Sequence, residues 1–150
     1  MNSAQVLKFS AFLMISYLTV FLPARGANHD AVEIIVEPPQ QVERWFAALG
    51  GVNEREFEKL IAEDARIILK DLGVEQTKQE FISALAEWQR LTRDANIIYR
   101  YVAIEEDTAT VNVCYRFKSN EQLNQESFTF KGEEITGSVQ EFKGDDCGDM

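Results

Sequence analysis

Near residue 96 the spacing of apolar residues changes from the period of a helix to that of a strand, and it does not change back. Before that point the apolar residues fall in helical stripes. Val42, Trp45, Phe46 and Leu49 stand at i, i+3, i+4 and i+7, which places them on one face of a helix. Phe57, Leu60 and Ile61 make a second such face, and Phe81, Leu85, Trp88 and Leu91 a third. The ends are marked as well. Pro38-Pro39 opens the first helix and Gly50-Gly51 closes it. Asn53 with Glu56, and Thr77 with Glu80, have the spacing of capping boxes. Arg90 and Arg93 lie near the end of the third helix, where positive charge is favoured. Between the second and third helices Ala65 to Leu69 reads as a short strand, with a turn at Asp71 and Gly73. After residue 96 four long strands follow: Asn96 to Glu105, Thr108 to Lys118, Gln125 to Lys131 and Ile135 to Phe142. Their short connections predict an antiparallel meander. Helices gathered ahead of such a sheet give an α+β fold, with three helices packed on four long strands and a short one.

The N-terminus has a different grammar. A start carrying Lys8 and no acid leads into a 14-residue apolar run, Phe9 to Leu22, and then into Pro23-Ala24-Arg25-Gly26-Ala27. That is the order of a cleavable secretory signal, with cleavage expected after Gly26. The run is shorter than the 20 or so residues a spanning helix needs; an uncleaved signal anchor and a buried helix are the competing readings. The expected organisation is a signal at 1–26, a lead-in at 27–39, one domain at 40–144 and an acidic tail at 145–150. The product is expected in the periplasm or outside the cell, and off the membrane once the signal is removed.

Charge excludes some partners. The chain carries 15 Lys and Arg against 25 Asp and Glu, a net −10. Loss of Lys8 and Arg25 with the signal takes it to −12. Such a surface repels nucleic acid and anionic lipid, and serves solubility. The two cysteines, Cys114 and Cys147, are either bridged, as an oxidising compartment favours, or two free thiols. His29 is the only histidine and lies in the lead-in, so no Ser-His-Asp or Cys-His set can be assembled around the domain. No metal-ligand spacing and no Gly-rich phosphate loop occurs, and no cofactor is expected.

Three segments carry a resemblance. VERWFAALGG, LIAEDARIIL and ESFTFKGEEITGSVQEFKG resemble the first helix, the helix-to-strand step and the last hairpin of the NTF2-like superfamily. This is the cone-shaped fold shared by SnoaL-like polyketide cyclases and ketosteroid isomerases, and the likeness spans about residues 40–144. It implies a curved sheet enclosing an apolar pocket, and homodimers formed through the sheet. It also allows a residue-by-residue test of the isomerase chemistry. Trp45 stands where the isomerases carry an oxyanion-donating tyrosine; an indole N–H donates one bond but lacks a phenol's acidity. Leu69 stands at the position of the base and cannot move a proton. Glu126 stands at the position of the buried acid.

Glu126 shares strand parity with Phe128 and Phe130. If these face the pocket, its carboxyl has a raised pKa and can act as acid or base; the alternative is a solvated strand-end glutamate. Trp45 and Trp88 serve either as core or as ligand platform. Among Tyr99, Tyr101 and Tyr115, the stretch IIYRYVAI is apolar on both faces and does not reveal which ring points inward. Arg100 either pairs with a carboxylate across the sheet or sits at an interface. Asp64, despite following Glu63, is expected to be a structural turn residue. The expected pocket residues are Trp45, Leu69, Trp88, Tyr115, Glu126, Phe128 and Phe142. The leading expectation is an exported domain binding a small apolar molecule or a protein partner without catalysis. The alternatives are a SnoaL- or isomerase-like enzyme using Glu126, and an accessory subunit of a cell-envelope assembly.

Overall fold

The computed structural model describes residues 37–150. The expected signal, its cleavage site, His29 and most of the lead-in lie outside the described residues.

Helix α1 spans Gln40–Gly51 and buries Val42, Trp45, Phe46 and Leu49, the stripe read from the spacing. Its end differs from expectation. Gly50 and Gly51 remain helical, and Val52 takes the left-handed conformation at φ 49. Helix α2, Glu54–Leu60, is capped by the Asn53 side chain, which accepts from the Glu56 N–H at 3.2 Å. The reciprocal arm of a capping box is not made. Arg44 of α1 instead donates to the Glu56 carboxylate at 2.6 Å, so that side chain ties two helices together.

Strand β1, Ile61–Leu69, begins directly after α2, so Ile61 belongs to a strand and not to the helix face. A register shift between Ile61 and Arg66 leaves Glu63 and Asp64 exposed in a bulge of β1, so Asp64 lies within the strand and not in a turn. A 3-10 turn, Lys70–Leu72, and Gly73 at φ 61 lead into β2, Val74–Thr77. The pattern did not predict β2. Its sequence VEQT has one apolar residue and no buried face, because it is an edge strand held by pairing to β1.

Helix α3, Lys78–Thr92, has the complete capping box: the Glu80 N–H donates to Thr77 Oγ1 at 3.3 Å and the Thr77 N–H to Glu80 Oε2 at 2.8 Å. Thr77→Ala should therefore lower the unfolding free energy by about 1 kcal/mol in a urea titration, with Thr77→Ser close to wild type.

The remaining strands are β3 (Asn96–Ile104), β4 (Thr108–Arg116), β5 (Glu121–Lys131) and β6 (Glu134–Gly144). They form the expected antiparallel meander. Among the described residues the sheet has six strands in the order β2-β1-β6-β5-β4-β3. It curves without closing, and β1 joins β6 in parallel, a pairing that period and turn signals do not report.

The helices lie on the inner face of this sheet. Val111, Val113, Tyr115 and Phe128 are buried there against Trp45, Phe46, Phe57 and Leu85. Tyr99 and Tyr101 turn toward α1, where both hydroxyls donate to the Glu43 carboxylate at 2.6 and 3.2 Å, and Phe46 stacks on Tyr99. Burial and that carboxylate hold both phenols protonated.

The outer face carries the tail. Cys114 and Cys147 are bridged, with an S–S distance of 2.00 Å, and both are buried. The Cys147 N–H donates to Glu121 Oε2 at 3.2 Å, and Arg100 donates to the Asp149 carbonyl at 2.7 Å. The last six residues are thus fastened at Cys147 and Asp149 over β3, β4 and β5. Arg100 meets both the backbone carbonyl and, at 4.0 Å, the carboxylate of Asp149, so the acid it pairs with belongs to the tail and not to a neighbouring strand.

Candidate functional site

A partly enclosed cavity of about 250 Å³ lies between α1, α3 and the concave side of the sheet. Each wall contributes a few side chains: Trp45 from α1, Trp88 from α3, Leu69 from β1, Tyr115 from β4, Glu126 from β5 and Gln140 from β6. Stacking holds the aromatic ones. Phe81 of α3 lies parallel to Trp45 at 5.0 Å, Phe57 meets Trp45 edge-on at 5.1 Å, and Trp88 meets Tyr115 edge-on at 5.4 Å. Such pairs fix ring orientation beyond what area burial alone supplies.

The polar groups are few and incompletely paired. Glu126 is 3% exposed. Its Oε1 accepts from the Ser138 hydroxyl at 2.6 Å, and its Oε2 has no partner. Burial pushes its carboxyl up to about 7, and the Ser138 bond opposes only part of that. The Tyr115 phenol is held well above its ordinary value by burial, then by the adjacent Glu126 charge, and it accepts from Gln140 Nε2 at 3.3 Å. The indole nitrogens of Trp45 and Trp88 are buried without partners. Every buried side-chain polar atom left unpaired among the described residues therefore belongs to a residue lining this one cavity.

Five of the seven expected pocket residues meet here: Trp45, Leu69, Trp88, Tyr115 and Glu126. They include all three positions tested against the isomerases. Phe128 lies behind the lining, fully buried against Trp45 and Phe46. Phe142 is corrected. It shares strand parity with Ser138 and Gln140, but it lies beyond them on β6, is 39% exposed and does not line the cavity. Its N–H is bound by the Asp71 carboxylate of the turn after β1. Gln140 and Ser138 were missed. Gln140 sits opposite Glu126 in the β5–β6 register, and only that register reveals the two as a site.

Among the described residues the one close group of potential metal ligands is Cys114, Glu121 and Cys147. Both of its sulfurs are spent in the bridge.

No protein-family model matches this sequence, and no curated protein does. Solved structures do match. A hypothetical protein from Catenulispora acidiphila with a ketosteroid isomerase-like fold, in complex with trimethylamine, is similar at a TM-score of 0.61 and 19% identity, over 71% of this chain and 88% of that one. The fold is the NTF2-like cone. IdmH from Streptomyces antibioticus, a proposed polyketide cyclase, shares the cone at a TM-score of 0.62 and 12% identity, over 72% of this chain and 93% of its own. An NTF2-like protein of unknown function from Burkholderia xenovorans does so at 0.58 and 10%, over 69% and 80%. At these identities the likeness is one of fold, and chemistry has to be argued from the cavity itself.

Proposed function

We propose that this chain is an exported, non-catalytic binding domain for a small, mostly apolar molecule that carries a hydrogen-bond-accepting oxygen. The observation that carries this reading is the coincidence of three unpaired buried polar atoms in one apolar cavity. Leaving a buried donor or acceptor unmet costs about 1–3 kcal/mol each, so a guest that meets several of them gains more than its apolar contacts supply. Two of the three are indole N–H donors, and a protonated Glu126 adds an O–H, so the complementary guest presents an acceptor. A protein of the same fold has been crystallised with trimethylamine, itself a small organic molecule. The leader grammar and the Cys114–Cys147 bridge both support export. Pairing of two copies through the sheet would have to accommodate the tail on β3–β5.

The chain has two tryptophans, and both line the cavity, so their emission reports occupancy directly. Titration with 2-decanone, an apolar chain with one carbonyl, should shift that emission saturably. Trp88→Phe keeps an aromatic ring but removes the N–H together with the second ring of the indole, and should weaken binding by at least about 1 kcal/mol, read on the emission of Trp45. A flat titration would sink the proposal.

Glu126 favours a second reading. A cavity carboxyl near 7 can give and take a proton at neutral pH, as a general acid or base must. The two readings separate on Glu126→Gln: an enzyme keeps its ligand and loses turnover, whereas a binding domain has no turnover to lose.

A further inference from the structure

We infer that the guest is an amphipathic acid, with its apolar body in the cavity and its anionic head outside, in a cationic cleft at the mouth. The inference rests on the binding role proposed above and adds the ligand's class and orientation.

The cleft adjoins the cavity through Leu91, which lines both. Leu91 is 60% exposed near the end of α3, the opposite of what the core side of an amphipathic helix requires. An alkyl chain leaving the cavity would pass over it. Beyond it the cleft, about 390 Å³, presents Arg90 and Arg93 from the end of α3 and Lys118 from just after β4, with Asp94 as the one acid in its wall. With Glu87, which lines the adjoining cavity, the mouth holds three cations to two acids, the reverse of the chain's balance of 15 to 25.

Two of the cations are engaged. Arg90 donates to Glu87 at 2.9 Å and Lys118 to Asp94 at 2.6 Å. These are exposed side chains, and exposed pairs are worth little and exchange readily. Arg93 makes no ion pair among the described residues. The helix dipole accounts for cations at the end of α3. It does not account for Lys118, which comes from another element, or for the position of all three beside the cavity mouth.

The opposite orientation is disfavoured by the interior. A ligand carboxylate pushed inward would share a buried space with Glu126, the one carboxylate deep in the cavity, and like charges in low dielectric repel strongly. The inner groups suit a neutral oxygen along the chain, and the mouth suits the charge.

The test uses the two tryptophans as reporters and probes of equal chain length at pH 8: decanoate, decanol and decyltrimethylammonium. At low ionic strength decanoate should bind about fivefold tighter than decanol, the scale of an exposed charge interaction, with decyltrimethylammonium the weakest. The preference should close at roughly 1 M salt. Arg93→Glu with Lys118→Glu should abolish or invert the order of decanoate and decanol while leaving decanol affinity in place; circular dichroism checks that the variant folds. Equal binding of decanoate and decanol by the wild type would overturn the inference and leave the cavity reading intact. So would a double variant that keeps the preference. Selective strengthening of decanoate by Glu126→Gln would place the head inside, and would also overturn it. If none of the three probes shifts the emission, the binding role itself fails, and this inference with it.

Discussion

At pH 8 the Glu126→Gln variant should be more stable than wild type by about 3 kcal/mol, whereas near pH 4.5 the two should coincide. The sign follows from linkage. In the unfolded chain this carboxyl titrates at its ordinary 4.5, and in the folded protein burial holds it at about 7. The native state therefore binds the proton more tightly. That advantage is complete below pH 4.5, is lost as pH rises to about 7, and stays lost above it, where folding must bury a charge. A glutamine is neutral in both states and keeps an oxygen to accept the Ser138 hydroxyl. Other carboxylates also move the absolute stability. Glu80, Asp94 and Glu141 are held low by hydrogen bonds and cation partners and act in the opposite sense. The difference between the two proteins cancels them. Paired denaturant titrations across pH 4–9 measure it. A gap that does not change with pH would mean that the Glu126 carboxyl titrates alike in the folded and unfolded chain, and so is not held up by burial.

Loss of the disulfide should be the costliest single covalent change. The bridge joins Cys114 in β4 to Cys147 in the tail across 33 residues. Closing a loop of that length removes about 4 kcal/mol of chain entropy from the unfolded state. For a domain of this size, Cys114→Ser with Cys147→Ser should lower the melting temperature by roughly 10–15 °C. Reduction of the wild type should have the same effect once the buried bridge is reached. The tail retains its bonds to Arg100 and Glu121, so part of it should stay seated in the variant. The bridge lies on the outer face and the cavity on the inner one. Tryptophan emission in the folded variant should therefore match wild type, and calorimetry with fluorescence tests both statements on one sample. A melting temperature that does not move would show that the closed loop does not limit the unfolded chain.

Local order was legible because it is written in local spacing. The α1 stripe, the start of α3 at Thr77 and the alternation of β4 each depend on residues within a turn or two of one another. What was missed was non-local. Strand β2 has no pattern of its own and exists through pairing with β1. The end of α1 moved from Gly51 to Val52, although two glycines offered the simpler stop. Phe142 followed the parity of its strand correctly but lay too far along it to reach the cavity.

The sequence by itself determined an α+β chain with three helices before four antiparallel strands, a leader-like start, an acidic balance, and Glu126 as the one supported acid. Only the tertiary structure decided that Trp45, Trp88 and Glu126 share a cavity with their polar atoms unmet. It also decided that Gln140 stands beside them, that Cys147 reaches Cys114, and that β1 lies parallel to β6. The reason is the same in each case. Periodicity reports which face of an element is apolar, but which faces meet, and at what register, depends on packing and strand pairing between residues dozens of positions apart.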